Sequence, residues 1–199
     1  MKYLDFSQQF KDYPVITYQN IRNVFQKVNH SQLINWRKKG WLLKLKRGIF
    51  VLPNKTISPH FIANKLNYSY ISLEYALSYY QIIPDVARII TSVSKNRSEK
   101  INNNLGNFYY YKINGLLFTG FTLIKEADSI FRLALPEKAL FDLIYFRADL
   151  KNQNDLEEMR LNISKNFNIK KIEKFTKLVK SHNIKNRLKN LIAYLYTIQ

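Results

Sequence analysis

A mixed α/β (α+β) fold is what the sequence predicts, and three observations predict it. Apolar residues recur at helical spacing at both ends of the chain, a two-residue alternation replaces that spacing after Gly40 and through the middle, and five prolines cut the 199 residues into short segments. Hydrophobic residues make up 46% and aromatic residues 15%, which is enough for a packed core without staples at this length.

The elements follow in order. Leu4, Phe6 and Phe10 mark a short first helix closed by Pro14, and Thr17 can cap a second carrying Ile21, Val24, Phe25 and Val28. Asn29, His30 or Ser31 can cap a third, over 31–39, in which Leu33, Ile34 and Trp36 should face the core. Lys38-Lys39 followed by Gly40 is its stop signal. Trp41, Leu43 and Leu45 then alternate with Leu42, Lys44 and Lys46. Arg47-Gly48 makes a turn, and Ile49-Phe50-Val51-Leu52 is the returning strand. Three helices, a glycine and a hairpin within residues 1–53 are the pattern of a winged helix-turn-helix. Pro53 and Pro59 bracket a linker, and residues 60–199 are expected to form a second, mixed α/β domain. It should open with helices near 58–66 and 72–80 and continue in strands near 88–93, 108–113, 116–124 and 130–135. Asn114-Gly115 should turn a hairpin between two of them. Pro136 fits the first position of a helix with Ala139, Leu140, Leu143 and Ile144 inside, and residues 151–199 should be helical, in stretches near 154–164, 169–181 and 184–197.

Charge is large and uneven. Lys plus Arg number 32 against 14 Asp plus Glu, a formal +18. Residues 1–60 hold 11 basic and 2 acidic side chains (+9), residues 61–150 hold 10 and 8 (+2), and residues 151–199 hold 11 and 4 (+7). Two basic ends around a near-neutral middle point to a polyanionic partner. With no cysteine, disulfides, thiolate metal sites and cysteine nucleophiles are excluded. No apolar run is long enough to span a bilayer, so no membrane partner is expected and the cytoplasm is the expected compartment.

Placed on the expected fold, the polar residues suit a duplex. Ser31, Gln32, Asn35, Lys38 and Lys39 fall opposite the apolar side of the third helix. Lys44 and Lys46 should share one face of the hairpin and Leu43 and Leu45 the other, with Arg47 at the tip. Gln and Asn can bond adenine in two places, while Lys and Arg grip phosphate. If six to ten cations touch phosphate, affinity should drop roughly 10³–10⁵-fold between 50 and 200 mM salt. The plain competing reading is an amphipathic hairpin with a solvated cationic face. Lys170, Lys171, Lys174, Lys177 and Lys180 read as such a solvated face, and the clustered tyrosines at 79–80 and 109–111 read as core or half-core packing.

No catalytic residue, metal site or cofactor is expected. His30, His60 and His182 have no metal-binding spacing, phosphate loops and nucleophile elbows are missing from the sequence, and Asp85, Glu126 and Asp128 make no recognisable carboxylate set. Glu137, Lys138 and Asp142 read as helix-terminal charge plus an exposed ion pair. Two other classes stay open: a nuclease or nucleotide-processing enzyme with a DNA-binding domain, and a winged-helix protein-interaction module.

Three segments together resemble a family. The run from Gly40 to Pro53, with Lys44-Leu45-Lys46-Arg47-Gly48-Ile49-Phe50 at its centre, is similar to the wing segment of AbiEi-type antitoxins of bacterial abortive-infection (type IV toxin–antitoxin) systems. Tyr70-Ile71-Ser72-Leu73-Glu74-Tyr75-Ala76-Leu77 with Ile82-Ile83-Pro84, and Leu135-Pro136-Glu137-Lys138-Ala139-Leu140-Phe141-Asp142-Leu143, resemble that family's second and third segments. The resemblance implies a transcriptional repressor that binds operator repeats in double-stranded DNA of its own promoter. It also implies an antitoxin activity against a nucleotidyltransferase-like toxin, without a stable complex. Operator contact would fall on the 31–39 helix and on Lys44, Lys46 and Arg47.

Overall fold

A computed structural model describes residues 1–127 and 129–199. Asp128, set above beside Asp85 and Glu126, lies outside the described residues. The chain is a mixed α/β fold with two sheets and a helical C-terminal end.

The first part runs α1 (Tyr3–Gln9), β1 (Ile16–Thr17), α2 (Tyr18–Phe25), α3 (His30–Lys38), β2 (Leu43–Lys46) and β3 (Ile49–Val51). Its boundaries have local causes. Thr17 and Asn20 close a reciprocal capping box on α2, and the Asn29 side chain accepts from the Gln32 amide at the start of α3. Gly40 ends the helical run in left-handed backbone at φ +71°. The small sheet has the order β1-β3-β2, both pairings antiparallel. Phe6, Phe10, Ile21, Leu33, Trp36 and Phe50 form its core, with the Phe6 and Trp36 ring centres 5.0 Å apart. Ile34 does not join them. It is 47% exposed because so short a helix buries a single narrow stripe, here Leu33 and Trp36.

The larger part is built on a six-stranded sheet of order β6-β7-β5-β4-β9-β8. Its strands are β4 (Ser69–Ile71), β5 (Ile90–Ser94), β6 (Glu99–Asn103), β7 (Gly106–Lys112), β8 (Phe121–Glu126) and β9 (Ser129–Ala134). The β4–β9 and β5–β7 pairings are parallel and the rest antiparallel. Helices α4 (Pro59–Leu66), α5 (Leu73–Tyr79), α6 (Pro136–Phe146), α7 (Gln153–Glu158), α8 (Ile169–Lys177) and α9 (His182–Ile198) pack around it. The hairpin expected at Asn114-Gly115 does not form. The Asn114 side chain instead accepts from the Leu116 amide and starts a single 3₁₀ turn, so the next strand begins only at Phe121. The true hairpin joins β6 to β7 through Gly106, whose φ is +142°.

The β2–β3 hairpin is buried on both faces, which ties the two parts together. Leu42, Phe50 and Leu52 face the small core, whereas Leu45 and Val51 belong to the large one. Asn103 on β6 donates to the Leu45 carbonyl at 3.2 Å. The boundary expected after residue 53 therefore separates two cores that share one hairpin.

Candidate nucleic-acid interface

The tip of the β2–β3 hairpin is set by Gly48. Its backbone takes φ +77°, and an added Cβ would stand 2.8 Å from the Tyr18 ring. Tyr18 donates its amide to the Gly48 carbonyl at 3.1 Å, lies edge-on to Phe50 and has its hydroxyl 3.3 Å from His30 Nδ1. The tip is thus pinned to the start of α2 and of α3. Gly48→Ala is expected to lower folding stability by about 1–2 kcal/mol, measured as a shift in urea midpoint at constant slope.

Between α3 and the hairpin lies an open groove walled by His30, Ile34 and Arg37 on one side and Lys44 and Arg47 on the other. Lys38 lies over its outer end, with Arg37 and Lys44. Arg37, Lys38, Lys44 and Arg47 are all exposed, and among the described residues none of them forms an ion pair. Ser31 and Asn35 are exposed on the same helix, one turn apart. An exposed Ile34 among cations is an apolar contact of the kind that meets a thymine methyl.

Three of the expected residues stand differently. Lys46 does not share a face with Lys44. Lys44 pairs with Phe50 and Lys46 with Ile49, which leaves Leu45 as an extra residue in a β-bulge. One extra residue flips everything after it to the other side of the ribbon. Lys46 therefore points into the larger part, where its ammonium donates to Glu99 at 2.5 Å and to the Leu66 carbonyl at 3.1 Å. It is a strut, not a phosphate contact. Gln32 is half-buried on the flank of α3, and its Oε1 is buried without a hydrogen-bond partner among the described residues. Lys39 is exposed, but its ammonium rests over the Trp41 ring at 4.6 Å, at the end of α3.

Sequence reasoning missed His30, Arg37 and Tyr18. A signal for the first two was present: His30, Ile34 and Arg37 follow one another at four and three residues, a helical stripe beside Leu33. Tyr18 carried none, because its place depends on the β2–β3 hairpin folding back on it.

Elsewhere several carboxylates are occupied by structure, while Asp85 and Glu158 line a pocket beside Glu74, Asp149 and Asp155. Arg147 bonds Glu74 at 2.9 Å and Asp149 at 2.6 Å, and this guanidinium holds the Asp149 carboxyl down at about 2. Asp155 caps α7. Glu126 bonds His60 at 2.8 Å, which in turn meets the Tyr75 hydroxyl at 2.7 Å. That bond to His60 holds the Glu126 carboxyl below its usual range. The ion pair expected on the surface at Lys138 and Asp142 is a correction: both side chains are fully buried. Glu137 is buried as well and binds Lys171 at 2.9 Å. Lys170, Lys174, Lys177 and Lys180 are exposed, consistent with a solvated face. Tyr110 is buried and donates to the Ala63 carbonyl, with half-buried Tyr109 and Tyr111 on either side. No described helix is long and apolar enough to cross a membrane. Comparison with protein-family models and with curated proteins gives no match to this chain.

Proposed function

We propose that this chain is a sequence-specific double-stranded DNA-binding protein of winged helix-turn-helix type, with α3 as the reading helix and the β2–β3 hairpin as the wing. One observation carries the reading: helix and hairpin border an open groove and the hollow beside it, and their cations Arg37, Lys38, Lys44 and Arg47 form no ion pair among the described residues. A helix of this width fits the major groove, and a neighbouring hairpin then reaches the phosphates beside it. The capped, glycine-terminated ends of α3 and the pinned tip at Gly48 keep that geometry fixed without DNA, which lowers the ordering cost of binding.

In this reading Ser31 and Asn35 read base edges, Ile34 meets methyl groups, and the four cations grip phosphate. The repressor and antitoxin roles rest on the segments that resemble AbiEi-type antitoxins. In those roles the protein represses its own operon through operator repeats and counters a nucleotidyltransferase-like toxin without a stable complex. No catalytic step, metal or cofactor is needed.

The test is a titration of the full chain with duplex DNA from upstream of its own gene, against excess unrelated duplex. Preference of at least about 10³-fold supports sequence-specific reading. Equal affinity for both duplexes sinks it. Lys46→Ala provides an internal control. It should leave the salt dependence of duplex binding unchanged, yet lower the melting temperature, because Glu99 loses one of its partners and the Leu66 carbonyl its donor. Rescue of growth when the chain is co-expressed with a toxin encoded beside it tests the antitoxin role.

A further inference from the structure

A second cationic surface lies away from the α3 groove. The β8–β9 register sets Leu123 opposite Arg132 and Lys125 opposite Ile130, so these four side chains share one face of the sheet with apolar and cationic positions on crossing diagonals. Leu123 is 64% exposed and Ile130 54%, both unusually open for aliphatic residues on a sheet. A groove of about 420 Å³ runs from them to Lys65 and Asn64 on α4 and to Tyr68 just beyond it. Among the described residues no Asp or Glu lines this groove.

The aromatic and cationic groups interleave. Tyr68 is 51% exposed and the Arg132 guanidinium sits over its ring at 4.6 Å. Lys95 stands over the same ring at 5.6 Å and over Phe118 at 5.2 Å. One polar atom is left open: Asn64 Oδ1 accepts from the Arg132 amide at 2.5 Å, but its Nδ2 is buried with no hydrogen-bond partner among the described residues.

We infer that this β8–β9 face and its groove bind single-stranded nucleic acid. An open sheet face with stackable groups and separated cations is how strands are held: bases lie on aromatic rings, guanidinium planes and aliphatic side chains while the backbone follows the positive charge. Lys65 on α4, Lys125 on β8 and Arg132 on β9 come from three separate elements, which favours a run of phosphates over the single phosphate cluster of a free nucleotide. An acidic peptide would satisfy the cations but would leave the exposed Leu123, Ile130 and Tyr68 uncovered. The inference is independent of the duplex reading, because it uses none of the α3 or wing residues.

The test uses the full chain and a fluorescein-labelled thymidine decanucleotide, followed by anisotropy at about 50 mM salt. Saturable binding is expected. Lys65→Ala/Arg132→Ala should weaken it about 10-fold or more, and Leu123→Glu should do the same by placing a charge against the strand. Leu123 is exposed, so an unchanged melting temperature is expected to show that Leu123→Glu folds, and the exposed Lys65→Ala alone gives the same control beside the double variant, whose Arg132 is half-buried on Tyr68. Arg37→Ala/Arg47→Ala should leave decanucleotide binding within about two-fold while impairing duplex binding. Four results would overturn the inference: no saturable binding, an equal loss in the Arg37/Arg47 variant, displacement by thymidine triphosphate as effective as by the decanucleotide, or equal displacement by a glutamate decapeptide.

Discussion

Asp142→Ala is expected to cost about 3–5 kcal/mol of folding stability. For a protein of this size that lowers the melting temperature by roughly 10 °C. The reason is the company the carboxylate keeps. Both Asp142 and Lys138 are wholly inaccessible, and their charged atoms bond directly. The other Asp142 oxygen accepts from the Ser72 hydroxyl at 2.8 Å and the Tyr70 hydroxyl at 3.0 Å. The Lys138 ammonium also stands over the Phe141 ring at 4.7 Å and the Phe175 ring at 5.4 Å. Gly120 holds this space open, since a Cβ there would lie 2.8 Å from Phe175 and 3.1 Å from Lys138 Cγ. Removing the carboxylate strands an ammonium and two hydroxyls in a dry core at once.

The converse variant has a pH signature. Burial pushes the Asp142 carboxyl above its usual range and the Lys138 amine below its own. In Lys138→Met the carboxyl loses the partner that opposes this rise, so its folded-state pKa climbs further above the unfolded one. A group raised in that way contributes stability below its unfolded pKa and loses it as pH rises toward the folded value. Lys138→Met should therefore lie closest to the parent near pH 4 and fall away by pH 8. Lys138→Met/Asp142→Asn removes the charge but keeps an acceptor for Tyr70 and Ser72, and should recover part of the loss at neutral pH. An Asp142→Ala protein that melts within about 2 °C of the parent would show that the cluster is not closed to water.

How far the sequence carried this structure depends on the range of each cause. Caps and stops act within four residues, so Thr17, Asn29, Gly40 and Pro136 all mark element ends where their chemistry places them. The change from helical to alternating spacing at Gly40 likewise located the hairpin. What failed was decided by partners far along the chain. Lys138 and Asp142 look like an ordinary surface pair at four residues. Their burial follows from Tyr70 and Ser72 on one side and Phe175 on the other, at separations no local pattern encodes. Lys46 was misplaced by one bulged residue, and Leu45 bulges because it is drawn into the large core while Leu42 and Phe50 are held in the small one. Ile34 and Arg37 belong to the groove because the hairpin stops short of covering them, a matter of tertiary placement.

Between 50 and 200 mM salt, duplex affinity is expected to fall about 10²-fold per copy of the chain bound. The figure follows from the geometry. With Lys46 tied to Glu99 and Lys39 resting on Trp41, the groove offers four free cations, Arg37, Lys38, Lys44 and Arg47. Each phosphate contact adds about −0.9 to the slope of log affinity against log salt, giving roughly −3.6 for four. That is smaller than the 10³–10⁵-fold drop expected from composition, because most of the surplus +18 lies away from the groove. Arg37→Ala/Arg47→Ala should flatten the slope to about −1.8 and leave a roughly 10-fold response. The loss should be the same for operator and unrelated duplex, since in the proposed reading these residues meet backbone. Asn35→Ala should instead leave the slope alone and narrow the gap between the two duplexes by about 1–3 kcal/mol. Two copies seated on operator repeats would double the parent slope to about −7, so the measured value also counts the chains on the DNA. A slope near zero would mean that the groove does not face phosphate at all.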